Sequence, residues 1–168
     1  MAATERVAAV LLPIVPTGGE CSIIFTKRPR GLAHHGGEVS FPGGQMEQGD
    51  GELSVTALRE THEEIGISPA EVRILGTLND ELSRWGHRVT PFVGLIENPD
   101  FKPQASEVDR IYMVPVSHLM NGGSYYSEIW IKDGERRRVH FFRYENDIIW
   151  GLTARILYGF FRHMGSGL

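Results

Sequence analysis

Hydrophobic and polar positions along the chain predict mostly β-strands. Runs rich in Val, Ile and Leu at residues 6–15 and 21–26 flank a segment with one proline and two glycines, so the two runs predict a β-hairpin. Later runs of the same character predict strands at 72–78, 89–97, 111–115, 125–131 and 138–144. The last two flank Asp133-Gly134, a strong hairpin signal. Pro91 favours an edge position for the 89–97 strand, because proline has no backbone N–H.

Apolar residues recur at helical spacing in two longer segments. In the first, residues 50–65, Asp50 is the predicted N-cap, Gly66 suits a left-handed residue after the last turn, and Pro69 blocks continuation. The second, residues 148–163, is apolar along its length and predicts a largely buried closing helix.

A long glycine-rich segment separates the hairpin from the first helix. Residues 31–51 include seven glycines, and a loop of this length in a compact chain usually has a function. A brief helical turn is predicted at 117–120. The order of elements predicts an α+β fold, in which a mixed β-sheet lies between helices on both faces, as one domain over residues 1–168.

Composition narrows the class of protein. The chain has 168 residues, 41% of them hydrophobic, and 17 Lys+Arg against 21 Asp+Glu give a net charge of −4, which argues against a nucleic-acid partner. No segment reaches the roughly 20 apolar residues of a membrane helix, and residues 1–6 lack a leader pattern. Cys21 has no second cysteine to pair with and lies in an apolar run, so it is predicted to be buried. We expect a cytoplasmic protein without a membrane partner, with homodimerisation left open.

The sharpest local feature is an acidic helix face. Glu60, Glu63 and Glu64 stand at positions i, i+3 and i+4, so a helix places the three carboxylates within reach of one another. Crowded carboxylates repel, and a hard divalent cation such as Mg²⁺ removes that repulsion while accepting further oxygens from a phosphate. Arg59 is suited to hold one carboxylate bidentately. A solvated acidic face without a metal is the competing interpretation.

The residues upstream favour the metal site. Phe41-Pro42-Gly43-Gly44 precedes the helix, and a glycine pair lets backbone atoms approach a metal or a phosphate closely. With Arg59-Glu60-Thr61-His62-Glu63-Glu64-Ile65-Gly66-Ile67, this segment resembles the Nudix hydrolase signature. It departs from that signature in two ways: Thr61 replaces an aliphatic residue, and one extra loop residue shifts Glu52 out of register.

Residues 24–44 bear a second resemblance, to the coenzyme A pyrophosphatase branch of the Nudix superfamily. The positions that match the branch motif are Thr26, Arg28, Gly37, Val39, Phe41, Pro42, Gly43 and Gly44. Pro29 and Ala33 replace the usual serine and arginine. Trp150-Gly151-Leu152-Thr153-Ala154 is similar to the closing segment of this branch, so the resemblance extends over roughly residues 6–163.

The resemblance implies a Nudix-type α/β/α sandwich and an enzyme that hydrolyses a phosphoric anhydride bond with Mg²⁺, or Mn²⁺, as cofactor. The implied metal ligands are Glu60, Glu63, Glu64 and the backbone of Gly44. The implied catalytic residues are Glu63, Glu64 and Arg59, and the implied substrate-binding residues are Arg28, Gly37, Phe41 and Gly43. The implied substrate is a nucleoside diphosphate derivative, foremost coenzyme A or acyl-coenzyme A, cleaved to 3′,5′-ADP and a 4′-phosphopantetheine.

Some alternatives stay open at this point. The general base is Glu63, Glu64 or Glu107, the last of which precedes a predicted strand. Because Pro29 and Ala33 depart from the branch motif, a Nudix pyrophosphatase for ADP-ribose or a dinucleotide is the alternative enzyme. A non-catalytic nucleotide-binding module is the alternative from another class.

Other polar and aromatic residues have weaker claims to a function. Lys27 is a phosphate contact or a solvated residue at a strand end, and the adjacent His34 and His35 line the loop without zinc-ligand spacing. Three arginines at 136–138 indicate a solvated hairpin tip. Trp85 and Trp130 stack on a base or belong to a core or an interface.

Overall fold

The computed structural model describes residues 6–168, so the expectation about a leader at the N-terminus lies largely outside it. Eleven strands, β1 to β11, are Val7–Thr17, Glu20–Lys27, Val39–Ser40, Gly43–Gln45, Arg73–Thr77, Glu81–Leu82, Arg88–Leu95, Arg110–Pro115, Tyr125–Lys132, Glu135–Tyr144 and Asp147–Trp150 in the described part of the chain. Three helices, α1 to α3, are Leu53–Ile65, Val116–Leu119 and Gly151–His163 in that same part. A short 3-10 turn covers Pro69–Glu71.

The main sheet is mixed and has β1 at its centre. Its strand order is β3-β2-β1-β7-β5, with β4 paired to β1, β6 to β7 and β8 to β2. β1 and β7 run parallel, whereas the other neighbours are antiparallel. β9, β10 and β11 form a separate antiparallel sheet of three strands.

Both faces of the main sheet are covered. Leu12, Ile23 and Phe25 pack in a cluster with residues of α3 and of the three-stranded sheet. Leu11 and Ile24, their neighbours along the strands, face the opposite side and pack with residues of α1 and the segment that follows it. Because successive side chains of a strand point to opposite faces, this alternation requires two covering layers. The predicted sandwich of a mixed sheet between helices is confirmed.

The hairpin at Asp133-Gly134 is also confirmed. Both residues have positive φ, 53° and 79°, as the favoured two-residue turn requires, and Lys132 pairs with Glu135 across it. At the end of α1, Gly66 has φ 77° and its N–H donates to the His62 carbonyl at 2.9 Å. That residue closes the helix as predicted.

The prediction of one helix over 148–163 is wrong at its start. Residues 147–150 form β11, in which Ile149 pairs with Phe142, and α3 begins only at Gly151. Gly151 has φ 68°, a left-handed conformation that breaks the chain direction between strand and helix. Apolar residues in a row cannot distinguish a buried strand from a buried helix, which explains the error.

Two further predictions are corrected. Cys21 is exposed, because it lies next to the β1–β2 turn.

β7, which contains Pro91, is an internal strand with β1 on one side and β5 and β6 on the other. The Pro91 carbonyl accepts from the Leu78 N–H at 2.9 Å, on the side where β5 has ended and β6 has not begun. The missing N–H of Pro91 faces this gap, so it costs the ladder no hydrogen bond.

No helix among residues 6–168 is both long enough and apolar enough to cross a membrane.

Candidate active site

One end of the main sheet brings together the segments that contain the predicted site residues. Ala9 in β1 pairs with Gly44 on one side and with Thr90 on the other. Lys27, the last residue of β2, pairs with Arg110, the first residue of β8. Since β1 and β2 are antiparallel, the start of β1 and the end of β2 share this edge. The loop after β2, the glycine pair, the start of β7 and the segment before β8 therefore meet there.

Glu60 and Glu64 lie on the face of α1 that is turned to the glycine pair. The Gly43 N–H donates to Glu64 Oε1 at 3.3 Å. A Cβ atom on Gly44 would lie 2.4 Å from Glu60 Oε1, so glycine at this position lets the carboxylate keep its place. Gly43 is constrained more strictly, since a Cβ there would lie 2.4 Å from the carbonyl oxygen of the Ala9 backbone. The two glycines thus bring the backbone against both carboxylates, as the spacing predicted.

The surroundings of both carboxylates raise their pKa values. Burial raises the pKa of Glu64 to about 8, and the nearby charge of Glu60 adds to the rise against the opposing Gly43 N–H. Burial also raises the pKa of Glu60, although the Arg59 guanidinium acts in the opposite direction. The charge of Glu107 raises both pKa values, which places this residue near the pair. These surroundings therefore disfavour the charged form of both carboxylates, and most strongly that of Glu64, unless a cation compensates it.

Arg59 is fixed by a residue that the sequence did not identify as part of the site. Its Nε and Nη2 donate to the two oxygens of Asp50 at 2.8 and 3.0 Å, and its Nη1 donates to Glu60 Oε1 at 3.0 Å. Asp50 also accepts from the Thr56 hydroxyl at 2.8 Å and from the Glu47 N–H at 2.9 Å. These hydrogen bonds, foremost those from Arg59, hold the pKa of Asp50 well below its usual range.

The predicted role of Asp50 as N-cap is wrong. Glu52 occupies the N-cap position without a side-chain cap, and α1 begins at Leu53. Asp50 lies before the helix and orients Arg59, which in turn holds Glu60. An aspartate at the start of a helix suggests a cap on sequence grounds, and only the folded loop shows that its oxygens are already used by Arg59, Thr56 and Glu47.

Glu63 differs from its two neighbours. Its side chain is 50% exposed, and its oxygens accept from Arg59 Nη1 at 3.2 and 3.3 Å. The carboxylate therefore lies on the arginine rather than against the glycine backbone. The structure brings Glu60 and Glu64 together at Gly43 and Gly44, and it places Glu63 at the outer side of this group.

Arg28 approaches the carboxylates from the end of β2. Its positive charge lowers the pKa of Glu64, and its Nε is buried without a hydrogen-bond partner among residues 6–168. Its backbone is fixed on both sides, because the Gly37 N–H donates to the Arg28 carbonyl and the Arg28 N–H donates to the Glu38 carbonyl, each at 3.0 Å. Gly37 has φ 78°, a conformation that glycine adopts without strain.

Two of the predicted contacts lie in the interior. Phe41 is 4% exposed and stacks on Phe25 with ring centroids 5.0 Å apart, so it anchors the strand residues that lead to Gly43. Lys27 binds both oxygens of Asp147 at 2.9 Å, and Tyr112 donates a hydrogen bond to the same carboxylate. Lys27 thus joins β2 to β11, and its charge is already paired.

The donor set fits a divalent cation only in part. Within residues 6–168, no three side chains of His, Cys, Asp and Glu converge into a complete group of metal ligands. Mg²⁺ is usually held by one or two carboxylates together with waters and substrate phosphates. The partly buried Glu60 and the buried Glu64, whose pKa values are both raised by burial, supply such a pair of oxygen ligands. They therefore fit Mg²⁺ that arrives with a phosphate substrate.

The other polar and aromatic candidates from the sequence lie in three different surroundings. Arg136, Arg137 and Arg138 are exposed at the β9–β10 hairpin, as expected for a solvated tip. Trp130 lies in an aromatic group on the three-stranded sheet, with ring centroids 5.9 Å from Trp150. His35 accepts from the indole N–H of Trp85 at 3.1 Å, which links the glycine loop to the turn before β7.

The fold and this arrangement identify the chain as a hydrolase of the Nudix class. The NUDIX domain family matches residues 4–144. The chain is 40% identical over 165 residues to the protein named "Uncharacterized Nudix hydrolase NudL" from Yersinia pestis (strain Pestoides F), covering 98% of this chain and 80% of that protein. The chain belongs to the NUDIX domain family, whose hydrolases act on pyrophosphate bonds and generally use a divalent metal such as Mg²⁺.

Solved structures agree with the fold. A MutT/nudix family protein from Enterococcus faecalis superposes with a TM-score of 0.65 at 12% identity and covers 98% of this chain and 64% of that chain. An Ap4A hydrolase from C. elegans gives a TM-score of 0.55 at 19% identity, covering 64% and 78% respectively. The NUDIX domain of Shewanella oneidensis NrtR, solved with ADP ribose, gives 0.54 at 17% identity, covering 68% and 75%. At these identities the likeness extends to the fold alone.

Proposed function

We propose that this Nudix hydrolase cleaves the diphosphate bond of coenzyme A or acyl-coenzyme A, with Mg²⁺ as cofactor, to give 3′,5′-ADP and a 4′-phosphopantetheine. The observation that carries the reaction type is the pair of carboxylates of Glu60 and Glu64, partly buried and buried, against the backbone of Gly43 and Gly44. The choice of substrate rests on the resemblance of residues 24–44 to the coenzyme A branch.

Glu60 and Glu64 are the proposed metal ligands, and the Gly44 backbone is the proposed third contact. A Mg²⁺ ion bound by these residues would supply neutralisation of charge on a diphosphate and a more acidic water. Arg59 restrains Glu60 through a hydrogen bond of 3.0 Å, so this carboxylate keeps one orientation while the substrate binds. Glu63, held by Arg59 at the outer side, is the proposed ligand or partner that completes the group.

Three residues are candidates for the general base: Glu63, Glu64 and Glu107. Their surroundings support Glu107. It is exposed, it precedes β8, and its charge reaches both Glu60 and Glu64. Glu63 is engaged by Arg59, and Glu64 is engaged by the Gly43 N–H. A base must be free to take a proton from the attacking water, and Glu107 meets this requirement.

Arg28 and Gly37 are proposed to bind the substrate phosphate. Arg28 has a buried Nε without a partner among the described residues, and it lies near Glu64. A guanidinium in this position is suited to a phosphate oxygen, because it pairs with an anion in a defined direction. Gly37 fixes the Arg28 backbone from the loop side through a hydrogen bond of 3.0 Å. Gly43 is proposed as a backbone contact, and the buried Phe41 as its support.

We also propose that residues 1–168 form a single domain. The family match ends at residue 144, yet Phe160 and Phe161 of α3 pack in the same hydrophobic cluster as Leu12 and Ile23 of the main sheet. The closing helix therefore completes one covering layer of the sandwich.

Hydrolysis of ADP-ribose or a dinucleotide is the second candidate, and a specific observation favours it. Pro29 and Ala33 stand where the coenzyme A branch motif has serine and arginine, so two positions of the loop differ. The NrtR domain with the same fold was solved with ADP ribose. Both candidates share the diphosphate chemistry and differ in the group beyond it.

A mass-spectrometric substrate screen separates these candidates. The purified protein is incubated with Mg²⁺ or Mn²⁺ and with coenzyme A, acetyl-coenzyme A, ADP-ribose, NADH or diadenosine tetraphosphate. We expect 3′,5′-ADP and a phosphopantetheine from the coenzyme A compounds, and no product in excess EDTA. If ADP-ribose is cleaved and coenzyme A compounds are untouched, the substrate assignment is wrong and the reaction type stands.

A further inference from the structure

Trp85 is presented to solvent by a hydrogen-bonded turn before β7. The Ser83 N–H donates to the His87 carbonyl at 2.9 Å and the Gly86 N–H donates to the Ser83 carbonyl at 3.0 Å, which closes the turn. Trp85 itself is 59% exposed. Tryptophan is usually well covered in folded proteins, so the contacts that this exposed ring does make show what it is placed for.

A chain of two hydrogen bonds fixes the indole ring. The Trp85 N–H donates to His35 Nε2 at 3.1 Å, and His35 Nδ1 lies 2.7 Å from Glu38 Oε2. Because Nε2 accepts the bond from tryptophan, the neutral His35 ring has its proton on Nδ1 and donates it to Glu38. The polar edge of Trp85 is thereby tied to the glycine loop, and its ring cannot turn freely.

The fixed ring has one face covered and the other open. The Arg84 guanidinium carbon lies 4.8 Å from the Trp85 ring centroid, over one face. His35 meets the ring at its edge, with an interplanar angle of 87°. The side chain is 59% exposed, and within residues 6–168 no other ring or guanidinium stacks on the face opposite Arg84. An open aromatic face of fixed orientation is suited to a planar partner.

This ring belongs to the same end of the sheet as the carboxylates. Thr90 and Gly44 both pair with Ala9, so they are two strand spacings, about 10 Å, apart. Trp85 lies five residues before Thr90, in the turn that enters β7. The other end of the hydrogen-bond chain, Glu38, accepts a backbone bond from Arg28 at 3.0 Å. Trp85 is thus connected to the proposed phosphate-binding residue.

We propose that Trp85 forms a base-stacking subsite, on whose open face the purine base of the substrate lies while its diphosphate reaches Glu60 and Glu64. This proposal rests on the proposed function, since it supplies the contact for the nucleoside part of that substrate. His35 is the positioning residue, because it orients the ring through the indole N–H. Stacking suits this position because every base has a π-face. Removal of one stacking side chain lowers the affinity for the base measurably.

The same chain offers a comparison that favours this role for Trp85. Trp130 is 45% exposed, yet its ring packs with those of Phe141 and Trp150 at centroid distances of 6.1 and 5.9 Å. That group lies on the three-stranded sheet, which has no residue of the carboxylate group. Trp130 is therefore accounted for by aromatic packing, whereas Trp85 has an open face beside the site.

The test compares W85A, W85F and W130A in steady-state kinetics. The substrates are coenzyme A and an otherwise identical analogue that lacks the adenine. We expect W85A to raise KM for coenzyme A roughly tenfold with little change in kcat, and W85F to stay within about threefold of the wild type. KM for the analogue without adenine should be equal in all four proteins, and W130A should match the wild type throughout. An unchanged KM of W85A for coenzyme A overturns the subsite.

A binding measurement separates failure of the subsite from failure of the proposed function. Binding of 3′,5′-ADP is titrated by isothermal titration calorimetry without metal and without turnover, so the readout does not depend on the tryptophan that is replaced. If the protein hydrolyses none of the compounds but 3′,5′-ADP binds the wild type and W85F more tightly than W85A, the subsite stands and the proposed reaction fails. Equal Kd values in W85A and the wild type, or no binding to the wild type, overturn the subsite.

The positioning role of His35 has its own readout. Asn at position 35 tolerates the positive φ of 58° but is too short to hold both partners, so H35N should raise KM for coenzyme A less than W85A does and leave kcat unchanged. The combination of H35N with W85A should be no worse than W85A alone, because His35 acts only through the ring. Additive losses in the double variant contradict that role.

Discussion

Asp50, just before α1, and Glu64, in its last turn, are two buried acids with opposite surroundings. Asp50, with its side chain 4% exposed, accepts hydrogen bonds from Arg59, Thr56 and the Glu47 backbone, and these bonds lower its pKa. Glu64, 8% exposed, accepts one long bond from Gly43, and burial raises its pKa to about 8.

The difference distinguishes an acid that supports the structure, Asp50, from an acid suited to bind a cation, Glu64. A buried carboxylate costs free energy unless hydrogen bonds and charges compensate it, and Asp50 has that compensation within the chain. Glu64 lacks it, so the fold tolerates an acid whose charged form gains from a cation brought from outside. Glu60 lies between these extremes, because burial raises its pKa while Arg59 opposes the rise.

The largest expected effect comes from removing the uncompensated charge. We predict that E64Q lowers kcat about 10³-fold, because the proposed metal ligand is lost while the size of the side chain is kept. The folded state should not suffer, since a pKa of about 8 leaves Glu64 mainly protonated at pH 7 without a metal, and the amide replaces one neutral group with another of the same size. Steady-state kinetics with saturating coenzyme A and Mg²⁺, together with thermal unfolding, measure the two effects.

E63Q is the matched control, because Glu63 lies on the same helix and its carboxylate is half exposed on Arg59. Its loss of kcat should be clearly smaller than that of E64Q. Equal losses would show that the distinction between compensated and uncompensated carboxylates has no bearing on catalysis.

The contrast also shows how far the sequence could predict the site. Glu60 and Glu64 are four residues apart on one helix, so local periodicity alone places them on one face, and the glycine pair was identified by composition. The bond between Arg59 and Asp50 spans nine residues across an irregular loop, and no helical or strand period relates them. Sequence reasoning gave Asp50 the local role of a cap for this reason.

Long-range pairs were missed on the same physical grounds. Lys27 was a candidate phosphate contact, but it binds Asp147, which is 120 residues away. The apolar residues after Asp147 predict a helix from residue 148, whereas strand pairing with β10 and the left-handed Gly151 decide for β11. The sandwich itself follows from local patterns, since strands buried on both faces and two amphipathic or apolar helices leave few other arrangements. Which charged residues form ion pairs depends on the completed packing of the chain.

A smaller effect should follow from crowding the carboxylate instead of removing it. A methyl group at position 44 would lie 2.4 Å from Glu60 Oε1, so G44A must displace that side chain. We predict a loss of about 10²-fold in kcat, of the size that a shift of about 1 Å in a reacting group produces. Steady-state kinetics of G44A and G49A provide the comparison.

Gly49 is a suitable control, since it lies in the same loop and a Cβ there meets no atom within 4 Å. G49A should keep the activity of the wild type. A G44A enzyme as active as G49A would mean that the close approach of Glu60 to the Gly44 backbone is not needed for the reaction.

The smallest effect on activity should come from the compensated side. D50N keeps the shape of the side chain but weakens the charged pair with Arg59, so Glu60 is oriented less firmly, and we predict a loss of about tenfold in kcat/KM. D100N is the control, because Asp100 is 79% exposed and its variant should be as active and as stable as the wild type.

The change of folding stability with pH in the acid range provides the sharper test of the Asp50–Arg59 pair. The pKa of Asp50 lies below its ordinary value of 3.8 in the folded protein, so the unfolded chain binds more protons in this range. The stability that Asp50 contributes is therefore complete above pH of about 4 and is lost as the pH falls through the depressed pKa. D50N should be less stable than the wild type at pH 7, and in denaturant unfolding the difference between them should shrink steadily as the pH falls below about 4. Parallel curves across this range would mean that Asp50 is not the compensated acid that its contacts indicate, and the contrast with Glu64 would then rest on burial alone.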